Sequence, residues 1–563
     1  MTQPVELGPK PLTLDDVHAV ARDGAPVTIT EAAREAVTTA RGHIEQLATA
    51  ERPTYGVSTG FGALAVRHIP PDRRAQLQRS LIRSHAAGSG PEVEREVVRA
   101  LMLLRLRTLA TGHTGVRLST VDAMAGMLNA GITPVVHEFG SLGCSGDLAP
   151  LSASALALMG EGMVRNAAGE LVPAAEALRA AGIEPVQLAE KEGLALINGT
   201  DGMLGMLSLA IADFSRLLDV ADLTAAMSVE ALLGTDRVFE PELHALRPHP
   251  GQNVSAARML AFLRDSEIVA SHRGPDCTRV QDAYSLRCSP QVHGAARDTV
   301  AYAATVADRE LSSVIDNPVV LADGRVESNG NFHGAPVAYV LDFLAIPLAD
   351  VASIAERRTD RMLDVSRSHG LPPFLADDPG VDSGHMIAQY TQAAIVSELK
   401  RLAVPASVDS IPSSAMQEDH VSMGWSAARK LRKAVDGLTT VLAVELLTAA
   451  RALDLRAPLK PAPRRPRPWR SCARRCRGPA PTATSRPRSP PPRPSSEVEH
   501  CHDHRSCRSR NRADRQAVVD RGRAADVPQQ PRPRRGRAPR GPGRLRRHRQ
   551  GRARLAVVRG DLP

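Results

Sequence analysis

A series of long segments with helical periodicity is the feature that most restricts the fold of this chain. Leu, Ala and Val recur in them at spacings of three and four residues, which places these side chains on one face of a helix. Several segments exceed the usual length of a globular helix, which favours a bundle of nearly parallel helices. We therefore predict six long helices, over residues 204–233, 254–266, 290–314, 335–362, 381–403 and 421–453.

The composition agrees with a mainly α protein. Hydrophobic residues make up 43% of the chain but aromatic residues only 3%, so Ala, Leu and Val must form most of the core. Thr13, followed by Asp16 three residues later, has the pattern of a capped helix start. We also predict shorter elements: helices from 30 to about 47, over 97–108 and over 151–159, and a hairpin-like segment within 160–185.

The N-terminal residues lack a basic segment followed by an apolar one, so the sequence predicts no secretory signal. No run of about 18 apolar residues occurs, so we expect no membrane contact. The default expectation is a cytoplasmic protein.

The composition changes abruptly after Lys460. Residues 461–563 contain 29 arginines, no lysine, 17 of the 43 prolines of the chain and a single aromatic residue, Trp469. Such a segment cannot bury enough apolar surface to fold, so we predict a disordered tail. Two explanations remain open: a basic tail that binds nucleic acid, which the lack of aromatic residues disfavours, and an out-of-frame translation of GC-rich coding sequence.

One cluster in this tail has residue types that bind metals. It comprises His500-Cys501-His502-Asp503-His504, with Cys507 nearby. The cluster lacks the ligand spacing of a zinc finger, so we predict no metal site.

A glycine-rich segment over residues 140–151, called the central loop below, is the strongest candidate for a functional site. Glycines at 140, 143 and 146 surround Ser145 and permit backbone angles that other residues avoid. A plain turn before a helix is one interpretation. A nucleophilic serine elbow is excluded by spacing, because the G-x-S-x-G pattern would need glycine where Asp147 stands.

The central loop, Gly-Ser-Leu-Gly-Cys-Ser-Gly-Asp-Leu-Ala-Pro-Leu, closely resembles the prosthetic-group loop of the aromatic amino acid ammonia-lyases, a family that includes the histidine and phenylalanine lyases. Further segments resemble the same family, and together they cover residues 1–460 nearly end to end. These segments are 54–62, 78–88, 111–117, 192–200, 280–291, 330–334, 413–422 and 453–460.

The resemblance implies a mainly α fold, with a long-helix bundle of the ammonia-lyase type and a smaller N-terminal domain that carries the central loop. We accordingly expect three regions: 1–200, 201–460 and the tail, 461–563. It also implies a homotetramer whose active sites are shared between subunits.

The resemblance further implies a prosthetic group made from the chain itself, with no external cofactor. Attack of the Gly146 nitrogen on the Cys144 carbonyl closes a five-membered ring, and loss of water converts Ser145 to a dehydroalanine. The product is 4-methylidene-imidazol-5-one, abbreviated MIO. Glycine suits the attacking position because it has no side chain to block the approach.

By resemblance, Tyr55 is our first choice for the base that removes the β-proton, with Tyr284 and Glu418 as competing or assisting groups. A tyrosine base needs a lowered pKa, which positive charge or hydrogen bonding to the phenolate can provide. Arg287 fits the substrate carboxylate, because its planar guanidinium can bind both oxygens. Asn198 and Gln281 are expected to hold the ring oxygen and the substrate backbone.

The substrate side chain is expected to meet three residues. His85 and Glu418 would contact an imidazole, and Phe332 would pack near the ring. The phenylalanine lyases carry Gln where this sequence has Glu418. The resemblance therefore implies elimination of ammonia from L-histidine to give trans-urocanate. The alternatives are a tyrosine or phenylalanine ammonia-lyase, an aminomutase of the same family and, from another class, a basic-tailed protein that binds nucleic acid.

Overall fold

The computed structural model describes residues 3–49, 54–274, 277 and 279–463, and all of them belong to one compact unit. The Arg-rich tail from residue 464 onward, including the His500–Cys507 cluster, lies outside the described residues. The described part is mainly helical with a few short strands, which confirms the predicted fold class. The division at residue 200 stays a prediction.

Seventeen α-helices occur in the described part of the chain. In chain order they are α1 Leu14–Ala21, α2 Glu31–Thr49, α3 Arg74–His85, α4 Arg95–Leu109, α5 Leu118–Asn129, α6 Leu148–Leu158, α7 Ala174–Ala180, α8 Glu192–Ile197, α9 Asp201–Ala231, α10 Pro241–Ala245, α11 Pro250–Leu263, α12 Glu267–Ala270, α13 Tyr284–Arg287, α14 Ser289–Ser312, α15 Ala335–Leu363, α16 Met386–Leu402 and α17 Gly424–Asp454.

All six predicted long helices are present, as α9, α11, α14, α15, α16 and α17. Their ends differ from the predicted ones by a few residues, because fraying and capping determine helix ends and periodicity does not. The shorter helices predicted from 30, 97 and 151 correspond to α2, α4 and α6. Thr13 caps α1 as predicted: its side chain accepts from the Asp16 backbone, and the Asp16 carboxylate accepts from the Thr13 backbone.

The strands are short, and all but the last two occur before residue 174. β1 Val5–Leu7 pairs in parallel with β2 Val27–Ile29, and β3 Ser89–Glu92 pairs antiparallel with β5 His137–Phe139. β4 Thr133–Pro134, β6 Met163–Arg165 and β7 Leu171–Pro173 form an antiparallel sheet that contains the predicted hairpin. β8 Val319–Val320 pairs with β9 Val326–Glu327.

The bundle is organised around α9, α15 and α17, which pack against one another, while α14 packs on α9 and α15. One large apolar core joins this bundle to α4, so that Leu101 and Leu207 belong to the same cluster. A buried carboxylate also links the three central helices. Glu445 of α17 receives hydrogen bonds from Thr224 of α9 at 2.7 Å and from Arg358 of α15 at 2.5 Å. Burial of this charge is tolerated because it is paired and hydrogen-bonded.

Helix α15 is the one described helix long and apolar enough to cross a membrane by length and composition. Its most apolar stretch is 61% buried inside the protein, and the helix as a whole packs mainly against α17, α14 and α16. This stretch also contains Asp342, which accepts a hydrogen bond from Lys430 of α17 at 2.9 Å. These contacts are those of a core helix in a bundle.

Candidate active site

The central loop leaves β5 and ends at the start of α6, and its backbone is held in unusual angles. Gly143 and Gly146 have φ of +70° and +80°, which glycine adopts without steric cost. Ser145, between them, has a φ of +46°, a left-handed conformation that is rare for a residue with a Cβ. Backbone strain of this kind persists only where the surrounding structure imposes it, and it concentrates at functional sites.

One side of the central loop is fixed by the segment that precedes α9. Gly146 pairs with Gly199 in an isolated parallel bridge, and the Asp147 backbone N–H donates to the Gly199 carbonyl at 2.7 Å. A Cβ placed on Gly146 would lie 1.9 Å from that carbonyl oxygen. Position 146 therefore requires glycine for reasons of space as well as backbone angle.

Asp147 ties the central loop to the start of α9 with its side chain. Its carboxylate accepts from the Ser141 hydroxyl at 2.9 Å and from the Met203 backbone N–H at 2.9 Å. Because the side chain is fully buried, desolvation raises the pKa of Asp147 to about 7, although these hydrogen bonds act to lower it. The sequence showed Asp147 only as a residue that breaks the serine-elbow pattern.

The other side of the central loop is fixed by the start of α17. The Met423 backbone N–H donates to the Leu142 carbonyl at 2.9 Å, and the Ser422 hydroxyl donates to the Gly143 carbonyl at 3.0 Å. Nearby, the Trp425 indole N–H donates to the carbonyl of Glu138, in β5, at 2.7 Å. Contacts from two distant segments of the chain therefore hold the strained backbone in place.

A cavity of about 540 Å³ opens over the central loop. Five of the predicted site residues line it: Tyr55, Cys144, Ser145, Phe332 and Glu418. Gly146, the remaining member of the predicted ring, lies in the same turn. The structure thus brings together groups that are up to 363 residues apart in the sequence.

Tyr55 faces this cavity with its ring half-buried. The ring packs edge-on against Phe61 with centroids 6.5 Å apart, and its oxygen accepts from the Gly62 backbone N–H at 3.4 Å. Burial raises the pKa of Tyr55, the hydrogen bond from Gly62 lowers it, and the negative charges of Glu418 and Asp316 raise it further. The lowered pKa expected of a tyrosine base is therefore not present in the single chain.

Glu418 is held by two neutral donors. The Ser413 hydroxyl donates to its Oε2 at 3.0 Å, and the Cys144 thiol donates to the same oxygen at 3.2 Å. Burial raises the pKa of Cys144 to about 12, and the charge of Glu418 adds to this effect. In the described part of the chain, no Lys, Arg or His lies within ion-pair distance of Glu418.

Asn198 lies behind the cavity wall and is only 2% exposed. Its Nδ2 donates to the Asn317 carbonyl at 2.7 Å, and its own carbonyl accepts from the buried Arg105 at 3.1 Å. The second Nδ2 hydrogen is available for another acceptor, whereas the buried Oδ1 has no hydrogen-bond partner in the described structure. The side chain is thus rigidly placed next to Asn317, which does line the cavity.

The four other predicted site residues do not line this cavity. His85 ends α3, where its Nδ1 is 2.9 Å from the Leu81 carbonyl oxygen. Gln281 is exposed, and Tyr284 is 72% exposed. The Arg287 guanidinium lies over the Tyr284 ring at 4.7 Å, and its Nε donates to a carbonyl of the same segment. Their roles stay predictions.

The cavity contains residues that the sequence did not single out. Asn317 and Asn329 are connected by a hydrogen bond of 2.9 Å from the Asn329 backbone N–H to the Asn317 Oδ1. The rings of His333 and His420 stack with centroids 5.6 Å apart and an angle of 4° between planes. Both histidines lay inside segments with family resemblance, which was the available signal, whereas Asn317 had none.

The comparisons with known proteins agree on one family. The model of the aromatic amino acid lyases matches residues 12–473. The chain is 68% identical to the histidine ammonia-lyase of Streptomyces avermitilis over 459 residues, which are 82% of this chain and 90% of that protein. The chain therefore belongs to the aromatic amino acid lyase family.

Solved structures show the same fold. The histidine ammonia-lyase of Trypanosoma cruzi is 39% identical, with a TM-score of 0.76 over 84% of this chain and 89% of that one. A tyrosine aminomutase from Streptomyces globisporus is 40% identical, with a TM-score of 0.76 over 81% and 89% of the two chains. The family generally depends on MIO, and the family assignment predicted from the sequence is confirmed.

Proposed function

We propose that this protein is a carbon–nitrogen lyase that eliminates ammonia from L-histidine to give trans-urocanate. The observation that carries the proposal is the cavity in which Tyr55 and Glu418 meet the strained turn at Ser145. The histidine ammonia-lyases named above, similar over most of this chain, support the choice of substrate.

We propose that Cys144, Ser145 and Gly146 form the MIO group autocatalytically. Three observations support the fit: the left-handed Ser145, the absence of room for a side chain at Gly146, and the clamping of the central loop from both sides. Cyclisation bonds the Gly146 nitrogen to the Cys144 carbonyl carbon, and two waters leave in total, one from this closure and one from Ser145. The finished group supplies an electrophilic methylidene carbon for the substrate amine.

The residues of the chain then have separate tasks. Tyr55 accepts the β-proton, and its position in the cavity with Glu418 supports this role. Burial and negative charge raise the pKa of Tyr55 in the single chain, so this role requires a further group in the complete site to lower it. Tyr284 and Glu418 remain the alternative bases.

Glu418 selects the substrate side chain in this proposal. Its carboxylate lines the cavity without a cationic partner among the described residues, so it remains available to accept an imidazole N–H. Phe332 lines the same cavity and supplies an apolar contact. His85 is proposed to assist, although in the single chain it does not reach the cavity.

We further propose a cytoplasmic homotetramer with shared active sites. The exposed positions of Tyr284 and Gln281 support it, because residues that bind substrate have to face a cavity. A second indication is the apolar groove of about 440 Å³ between α14 and α15, where Tyr302, Tyr339 and Phe343 are 45–60% exposed. Large exposed aromatic groups of this kind are typical of subunit interfaces. Arg287 of one subunit would then complete the cavity of another.

The direct test is the rate of urocanate formation from L-histidine, followed by ultraviolet absorbance with purified protein. Tyrosine and phenylalanine are tested in parallel with identification of products, which separates a histidine lyase from the other lyases and from an aminomutase. Faster turnover of phenylalanine or tyrosine than of histidine would contradict the proposal.

A further inference from the structure

We infer that the Ser413 hydroxyl and the Cys144 thiol are positioning groups that fix the Glu418 carboxylate for recognition of an imidazole ring. The inference rests on the proposed function, in which Glu418 contacts the substrate side chain. It gives the Cys144 side chain a role separate from that of its backbone, which enters the ring.

Both donors meet on one oxygen. Ser413 Oγ lies 3.0 Å and Cys144 Sγ 3.2 Å from Glu418 Oε2, while no described residue donates a hydrogen bond to Oε1. Two donors on a single oxygen restrict the rotation of the carboxylate more than either would alone. The arrangement leaves the second oxygen as the acceptor that a bound ligand can use.

The nature of the donors is important for recognition. Had an arginine or lysine held Glu418, its charge would be neutralised before a ligand arrived. A hydroxyl and a thiol orient the carboxylate but leave its negative charge in place. In the described part of the chain Glu418 forms no ion pair, so a ligand that carries an N–H or a positive charge is favoured over a hydrocarbon ring.

The thiol has to stay protonated to act as a donor. Burial and the charge of Glu418 raise the pKa of Cys144 to about 12, so the sulfur carries its hydrogen at neutral pH. Only 8% of Cys144 is exposed, which also limits its exchange with water. The thiol therefore connects the central loop to Glu418, which is 274 residues further along the chain.

The Ser413 contact is built into a strained turn. The backbone N–H of Ser413 donates to the Glu418 carbonyl at 2.9 Å, and that of Glu418 donates back at 3.3 Å. Between them Ser414, Ala415 and Met416 have φ of +51°, +52° and +69°, although none is glycine. Left-handed residues of this type cost free energy, and the observed turn places the hydroxyl beside the carboxylate that it contacts.

The test measures binding without catalysis. The ligand is imidazolepropionate, a histidine analogue without the amino group, and the background is Ser145→Ala, which cannot form the ring. Isothermal titration calorimetry gives the Kd for this background and for added Ser413→Ala and Cys144→Ala. We expect Kd to rise about tenfold for Ser413→Ala and about threefold for Cys144→Ala, the range for one lost hydrogen bond.

Matched variants and a second ligand separate positioning from damage to the fold. Ser413→Thr and Cys144→Ser keep a donor and should bind imidazolepropionate nearly as well as the background. Phenylpropionate has no ring N–H, so none of the four substitutions should change its Kd by more than about twofold. In a Glu418→Ala background, Ser413→Ala should have no further effect on imidazolepropionate.

A second measurement uses the thiol itself and does not depend on the stability of the Ser413 variant. The alkylation rate of Cys144 by iodoacetamide at pH 8, followed by peptide mass spectrometry, should rise several-fold in Glu418→Gln, because loss of the negative charge lowers the pKa of the thiol. An unchanged rate, or an unchanged Kd in Ser413→Ala and Cys144→Ala, would overturn the inference. Absence of histidine turnover by the unmodified protein would instead overturn the proposed function.

Discussion

The central loop and the 281–287 segment both carry predicted site residues, but of the two only the central loop lines the cavity of the single chain. The central loop is held by hydrogen bonds from the starts of α9 and α17, and Cys144 is 8% exposed. In the 281–287 segment, Tyr284 is 72% exposed and the Arg287 Nε contacts only its own segment. The chain therefore builds the strained turn internally but leaves the Tyr284 ring, beside the carboxylate-binding candidate Arg287, exposed.

This difference has a physical reason. A strained turn needs rigid support, and support is strongest from buried contacts within one core. A residue that contacts a substrate needs only to face the cavity, so in the proposed homotetramer another copy could supply it. The raised pKa of Tyr55 fits this division, because the single chain provides negative but no positive charge among the groups that affect it.

The largest expected effect comes from the centre of the loop. Ser145→Ala should abolish histidine turnover, and intact-mass spectrometry should show the full mass of the variant sequence. The wild-type protein should be lighter than its sequence mass by two waters. Cys144→Ala is the control: it keeps the backbone carbonyl and should still lose both waters. Active protein with the full sequence mass would contradict ring formation by the chain.

The second prediction tests whether the 281–287 segment serves another subunit. Arg287→Ala should lower kcat/KM for histidine by roughly a hundredfold, because two charge-assisted hydrogen bonds to the carboxylate are lost. Tyr55→Phe should be similarly impaired. Co-expression of the two variants should restore part of the activity, since some shared sites would receive an intact copy of each residue.

The matched control for this experiment is Arg325→Ala, which removes an arginine that is 63% exposed and pairs with Asp323 on the surface. This variant should keep the activity of the unmodified protein. If co-expressed Arg287→Ala and Tyr55→Phe chains assemble normally but regain no histidine turnover, each site uses residues of one chain. The position of the 281–287 segment away from the cavity then needs another explanation.

The third prediction concerns Glu418, which the central loop contacts through Cys144. Glu418→Gln should reduce kcat/KM for histidine by roughly ten- to a hundredfold, the effect of losing a charge-assisted contact of about 1.5–3 kcal/mol. Turnover of phenylalanine should change far less. Glu327→Gln, an exposed surface change, is the control, and equal losses with both substrates would argue against imidazole recognition.

Sequence patterns predicted the long helices well because each depends on local periodicity, as for α15 and α17, whereas short helices such as α10 and α12 were not predicted. Motifs also predicted that Tyr55, Ser145 and Glu418 share a site, which the cavity brings together. The contacts that support the site were not predictable. Gly146 against Gly199 and Ser413 beside Glu418 depend on backbone angles and close approach, for which a sequence gives no distances.

The stacking of His333 on His420 was also not predictable, because the two residues are far apart in sequence and meet only through the fold. For the 281–287 segment the motif was recognisable from the sequence, but its position relative to the cavity was not. A motif does not say which copy of the chain uses it.

The smallest expected effect tests how far the central loop depends on its own buried contacts. Burial raises the pKa of Asp147 from 3.8 to about 7. A carboxyl whose pKa is higher in the folded state stabilises fully below about pH 4, and this contribution is lost as the pH rises through about 7. Asp147→Asn cannot ionise, yet it can still accept from the Met203 backbone N–H and donate to the Ser141 hydroxyl oxygen.

We therefore expect Asp147→Asn and the wild-type protein to unfold at similar urea concentrations at pH 4, and the variant to be the more stable of the two at pH 8. Asp72→Asn, which changes an exposed carboxylate, gives the background effect of the substitution. If the urea midpoints of the variant and the wild-type protein differ by the same amount at both pH values, Asp147 does not titrate in this range. The loop would then be held by a carboxylate that stays ionised, and the fold would have to tolerate this charge through the hydrogen bonds from Ser141, Met203 and Gly202.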